Sequence, residues 1–130
     1  MKEKRILVVD DEAINRLFLK SLLNNNGWVV VEAEEGEEAV NLASKEIFDA
    51  ILMDVNMPFI DGFEATRRIR KASVLGRRGT PVPILALSAH NDEEFFRECE
   101  ESGMDGVITK PVTETKLLRK LSPYLSETEE

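Results

Sequence analysis

Four points along the chain carry groups that could handle a phosphoryl group beside a hard cation. Asp10 and Asp11 follow the apolar run Ile6-Leu7-Val8-Val9, and Asp54 ends Ile51-Leu52-Met53. Ser88 ends Ile84-Leu85-Ala86-Leu87, and Lys110 follows Gly106-Val107-Ile108-Thr109. Short apolar runs closed by polar or turn residues read as buried strands stopping at the surface. The carboxyl ends of strands are where open α/β sheets place their ligand crevice. Three carboxylates held together there repel one another unless a cation sits among them. Oxygen donors with no His or Cys beside them favour Mg²⁺, with Mn²⁺ as the alternative, over zinc. Mg²⁺ takes one or two carboxylates and leaves positions for a phosphate oxygen. Lys110 then supplies a point charge and Ser88 a hydroxyl donor, both suited to phosphoryl oxygens. A carboxylate nucleophile in such a site, here Asp54, forms an aspartyl-phosphate by in-line positioning and charge neutralisation.

The elements that must position these groups follow from the rest of the pattern. Strands are expected at 6–9, 28–31, 49–54, 84–88 and 106–109. Helices are expected from Glu12 to about Asn25, Gly36 to Lys45, Gly62 to Ala72, Asp92 to Glu101 and Thr113 to about Tyr124. Gly27 and Gly103 suit left-handed helix ends, while Asp92 and Thr113 suit N-caps. The stretch 74–83, with Gly76, Gly79, Pro81 and Pro83, must be a loop. Inward faces read as Ala39, Val40 and Ala43; Phe63, Thr66 and Ile69; and Leu117, Leu118 and Leu121. In the first helix Ile14, Leu17, Phe18, Ser21 and Leu22 make a full apolar face. Leu19 and Leu23 lie rotated roughly 130° to 170° from its centre and are therefore expected on the surface. Five strands alternating with five helices imply an α/β fold with one parallel sheet covered on both faces.

The 130 residues fit one domain, with 126–130 a frayed tail. A net charge of −8 argues against nucleic acid and against direct membrane contact, both of which need clustered Lys and Arg. The single cysteine, Cys99, makes no internal disulfide and is expected in the core. The start of the chain is too short in apolar residues for a signal peptide, and no stretch is long enough to span a membrane, so a cytoplasmic monomer is expected.

Taken together and in order, Val8-Val9-Asp10-Asp11, Met53-Asp54-Val55-Asn56-Met57-Pro58 with Asp61-Gly62, Leu87-Ser88-Ala89 and Thr109-Lys110-Pro111 resemble the receiver domain of two-component response regulators. The resemblance covers nearly the whole chain. It implies a flavodoxin-like (βα)5 fold with strand order 2-1-3-4-5. It also implies that Asp54 accepts a phosphoryl group from a histidine kinase. Asp11, Asp54 and the Asn56 backbone carbonyl would ligate Mg²⁺, with Asp10 acting mainly through water on the ion. Ser88 would be the switch hydroxyl, and Lys110-Pro111 a cis peptide. Asn15-Arg16 and Gly62-Phe63-Glu64-Ala65-Thr66 resemble receivers of hybrid sensor kinases, which exchange phosphoryl groups with a histidine-containing phosphotransfer domain. One departure stands out: receivers usually carry Tyr or Phe three residues before the lysine, where this chain has Val107. That puts the usual aromatic readout in doubt.

Asp10-Asp11 alone would read equally well as an acidic pair complementing a helix dipole, and Ser88 alone as a turn cap. Their combination with Asp54 and Lys110 carries the functional reading. His90 has no second soft ligand and is expected to border the site and tune water access. A haloacid-dehalogenase-like phosphatase needs a second carboxylate two residues after the nucleophile, where Asn56 stands. A degenerate receiver acting only by binding would lack one of the acids or the lysine. Flavin binding lacks a Ser/Thr/Gly-rich loop after the first strand. Because the first helix is the docking surface of similar receivers, Leu19 and Leu23 are expected to anchor a phosphotransfer bundle.

Overall fold

Ile6–Val9, Ala50–Met53 and Ile84–Leu87 are uninterrupted apolar runs, and in the computed structural model, which describes residues 3–125, they form the centre of one sheet. The strands are β1 (Arg5–Val9), β2 (Val29–Ala33), β3 (Ala50–Asp54), β4 (Ile84–Ser88) and β5 (Gly106–Thr109). They alternate with α1 (Ala13–Asn24), α2 (Gly36–Lys45), α3 (Gly62–Lys71), α4 (Glu93–Ser102) and α5 (Glu114–Leu125). All pairings are parallel and the order is β2-β1-β3-β4-β5, as the resemblance implies. The expected frayed tail lies outside the described residues.

Side chains alternate across the sheet, so each strand feeds two cores. Leu7, Val9, Ile51, Met53, Ile84 and Ala86 pack with Ala39, Ala43, Phe63, Ile69, Phe95 and Cys99 from α2, α3 and α4. Ile6, Val8, Leu52, Leu85, Leu87 and Ile108 pack with Leu19 and Leu23 of α1 and Leu117, Leu121 and Leu125 of α5. Helix ends follow side-chain chemistry. Asp61 accepts the Glu64 N–H at 2.9 Å, Asp92 the Phe95 N–H at 2.8 Å, and Gly103 closes α4 at φ 105°. Arg70 ties α3 to the segments leading into β4 and β5, donating to the Val82 and Gly103 carbonyls and to Asp105.

The first helix is rotated relative to the sequence expectation. Leu19 (3% exposed) and Leu23 (0%) are core, whereas Ile14 (79%), Leu17 (64%) and Phe18 (48%) face outward. The surface placement of Leu19 and Leu23 is therefore wrong, and with it their role as docking anchors. Arg16 accounts for the rotation. Its guanidinium is buried, donating to the Asp10 carbonyl at 2.8 Å and to Glu32 at 2.9 Å. With Arg16 anchored at the sheet edge, the positions three and seven residues on, Leu19 and Leu23, are the ones that meet the sheet. Counting apolar residues favours the other stripe, because the count treats a charged residue as outward.

Candidate phosphoacceptor site

Strand register assembles the site. Val9 pairs with Met53, so Asp10, one residue on, stands level with Asp54 at the end of β3. Ser88 pairs with Thr109, which sets Lys110 one residue beyond the hydroxyl, and the Lys110 N–H donates to the Ser88 carbonyl at 2.8 Å. Asp10 (1% exposed) and Asp54 (4%) are buried, while Asp11 is exposed. One oxygen from each of the three lies within 4.8 Å of the others. Lys110 Nζ stands 3.6 Å from Asp54 Oδ1, an ion pair longer than a tight charged hydrogen bond. The backbone runs close beneath: a Cβ at Gly62 would overlap the Asp54 carbonyl and meet Val55 Cα at 2.9 Å. Only glycine lets α3 begin this close to the end of β3.

Electrostatics are tense, as the sequence suggests. Burial pushes the Asp54 carboxyl up to about 6; Asp10 and, more weakly, Asp11 push the same way, while Lys110 and the Asn56 backbone N–H oppose them. Burial likewise raises Asp10, against the Glu12 N–H that its Oδ1 accepts at 2.9 Å. Asp10 Oδ2 is buried with no hydrogen-bond partner. A crowded all-oxygen set with an orphaned buried oxygen fits a small hard dication, which would satisfy the orphan and relieve the repulsion. Ser88 Oγ accepts the His90 N–H at 2.9 Å, leaving the hydroxyl proton for an acceptor in the pocket.

The remaining expected residues fall around this centre. The Lys110-Pro111 peptide is cis. The His90 ring is exposed and packs 5.6 Å from Phe95, lining a hollow with Val55, Asn56 and Phe63. Val107 is half-buried on β5, in a hollow of about 530 Å³ between α4 and α5 that none of the three carboxylates lines. Sequence reasoning missed the anchoring role of Arg16, one of two cations on a largely apolar helix, and missed Phe59. The latter is 89% exposed on the loop after Asp54 and carries no periodic signal at all.

A family model for the response regulator receiver domain matches residues 6–122, and the chain belongs to that family. It is 42% identical over 113 residues to the sensor histidine kinase GacS of Pseudomonas protegens, covering 87% of this chain and 12% of the kinase. The chain thus spans about an eighth of the length of that relative. Its fold matches the receiver domain of the sensor histidine kinase PA1611 from Pseudomonas aeruginosa, which has a magnesium ion coordinated in its active-site cleft. That match has a TM-score of 0.82 and 33% identity, covering 95% of this chain and 98% of that one. The Saccharomyces cerevisiae Ssk1 receiver domain, solved with the histidine phosphotransfer protein Ypd1, matches with TM-score 0.84 and 30% identity, covering 94% and 88%. The chain is thus a receiver domain, and in sequence it is similar to segments of sensor histidine kinases.

Proposed function

We propose that the chain is one receiver unit in which Asp54 takes a phosphoryl group from a phosphohistidine. The observation that carries this is a nearly buried Asp54, within 4.8 Å of Asp10 and Asp11 and facing Lys110. An Asp54 oxygen attacks phosphorus, the phosphorus–nitrogen bond breaks, and the leaving imidazole keeps the electron pair. Lys110 Nζ offsets charge on the transferred oxygens, and the Ser88 hydroxyl donates to one of them. Asp10, Asp11, Asp54 and the Asn56 carbonyl would hold Mg²⁺, which when bound neutralises charge on carboxylates and phosphoryl group alike. With Val107 lacking a ring, the readout runs through Ser88 and the loop it holds at His90. His90 itself borders the pocket and limits water.

The partner is a histidine kinase or a histidine-containing phosphotransfer domain, and the Ssk1 receiver with Ypd1 supports the latter. The anchors move from Leu19 and Leu23 to the outward stripe Ile14, Leu17 and Phe18, an apolar patch beginning three residues after Asp11. Among the described residues no helix is long and apolar enough to cross a membrane, and we place the unit, as a monomer, in the cytoplasm.

Adding Mg²⁺ and then beryllofluoride, a phosphoryl mimic, while recording amide NMR spectra tests the proposal. Shifts at Ser88, His90 and Lys110 that appear only with both additions, and not in Asp54→Asn, are expected. An equal response in that variant would move the acceptor elsewhere.

A further inference from the structure

Phe59 combines two costs that nothing within the chain repays. It is the most exposed large hydrophobic residue among the described residues, at 89%. It is also one of two non-glycine residues there with positive φ, at 73°. A bulky side chain in the left-handed region is strained, and an aromatic ring held in water forfeits its burial. The flanking loop is well fixed. Met57 is buried, and Ile60 fills the space where Gly36 has no Cβ. Asp61 caps α3, and the Gly62 N–H donates to the Val55 carbonyl at 2.9 Å. Between Met57 and Ile60 the chain turns outward at Pro58 and Phe59, and of the two Phe59 carries the large ring. A glycine would hold the same backbone without strain and without an exposed ring. A ring kept where the fold would be better served by glycine points to a contact made with another molecule.

The position identifies that molecule by its chemistry. Asp54 is 4% exposed, and a phosphorus atom must come within bonding distance of it. Whatever protein carries the phosphohistidine must therefore cover the mouth of the site. That mouth is bounded by the segment after Asp11, leading to the exposed Ile14, and by the loop after Asp54, which carries Phe59. We propose that Phe59 is a positioning residue that anchors the phosphohistidine-bearing protein over Asp54. The inference rests on Asp54 being the acceptor, as proposed above, and adds to it the residue that selects a protein donor over a small one.

Phe59→Gly separates the two roles of the residue. Three measurements are made on wild type, Phe59→Gly and Phe59→Tyr: the urea midpoint, acetyl phosphate labelling, and transfer from two protein donors. The donors are autophosphorylated GacS kinase and phosphorylated Ypd1. Phe59→Gly should have a higher urea midpoint, because the left-handed strain is gone. Its labelling by acetyl phosphate should equal wild type. Its transfer from a protein donor should fall about tenfold or more, through a raised half-saturating donor concentration rather than a lower maximal rate. Phe59→Tyr should restore transfer. Undiminished transfer to Phe59→Gly would overturn the inference, as would a lowered urea midpoint or a wild type that accepts from neither protein donor. Failure of the wild type to label with acetyl phosphate is a different result: it would remove Asp54 as acceptor and not Phe59 as anchor.

Discussion

Replacing Asp54 by asparagine should stabilise the metal-free protein at neutral pH, by an amount set by the carboxylate's surroundings. Its pKa rises from 3.8 to about 6, led by burial and then by the Asp10 charge. A folded-state value above the unfolded one means that the fold favours the protonated acid. The contribution is fully present below pH 3.8 and is lost as pH rises through about 6. Two units at 1.36 kcal/mol each give about 3 kcal/mol, and access of solvent around the part-exposed Lys110 trims this to about 2 to 3 kcal/mol. Asparagine has the same shape and no charge to bury. Urea unfolding, followed by Trp28 fluorescence in chelator across about pH 3 to 8, should give coincident curves for both proteins at the acid end. Near neutrality the variant should be more stable by the figure above. Mg²⁺ should then narrow the gap by stabilising the wild type through binding to the ionised cluster. A difference that does not change with pH, or a variant less stable near neutrality, would refute the electrostatic account.

Lys110→Ala should lose most of its NMR response to beryllofluoride while keeping its Mg²⁺ affinity or raising it, because a cation leaves an acidic pocket; an unchanged beryllofluoride response would refute the role of Lys110. Ile14→Asp with Phe18→Asp should leave the urea midpoint and acetyl phosphate labelling near wild type and slow transfer from phosphorylated Ypd1. Undiminished transfer would leave these residues as tolerated surface. Leu23→Ala should instead cost about 2 to 5 kcal/mol of stability in urea, as a core cavity does, whereas a surface leucine would cost almost nothing.

Nearly all of the fold is written in the sequence because its central strands are buried on both faces. Continuous runs such as Ile84–Leu87, bounded by polar residues, leave little freedom in where a strand begins and ends. The site shares that legibility: Asp10, Asp54, Ser88 and Lys110 each follow directly from a strand's last residues, so finding the strands locates the chemistry. The rotation of α1 did not follow, because α1 carries apolar residues on two stripes and periodicity ranks the outward one first. The deciding contacts are the bonds from Arg16 to the Asp10 carbonyl, six residues back, and to Glu32 on β2, which come together only in the folded sheet. Phe59 was illegible for a related reason. Its interest lies in a backbone angle and an exposure, and a single aromatic residue in a loop announces neither.

The central claim is that Asp54 is the acceptor and that its cluster works with a bound dication. Intact mass after incubation with acetyl phosphate tests it most directly. The wild type should gain the mass of one phosphoryl group in Mg²⁺ and none in chelator, and Asp54→Asn should gain none under either condition. An adduct that persists in Asp54→Asn, or that forms equally well without Mg²⁺, would contradict it.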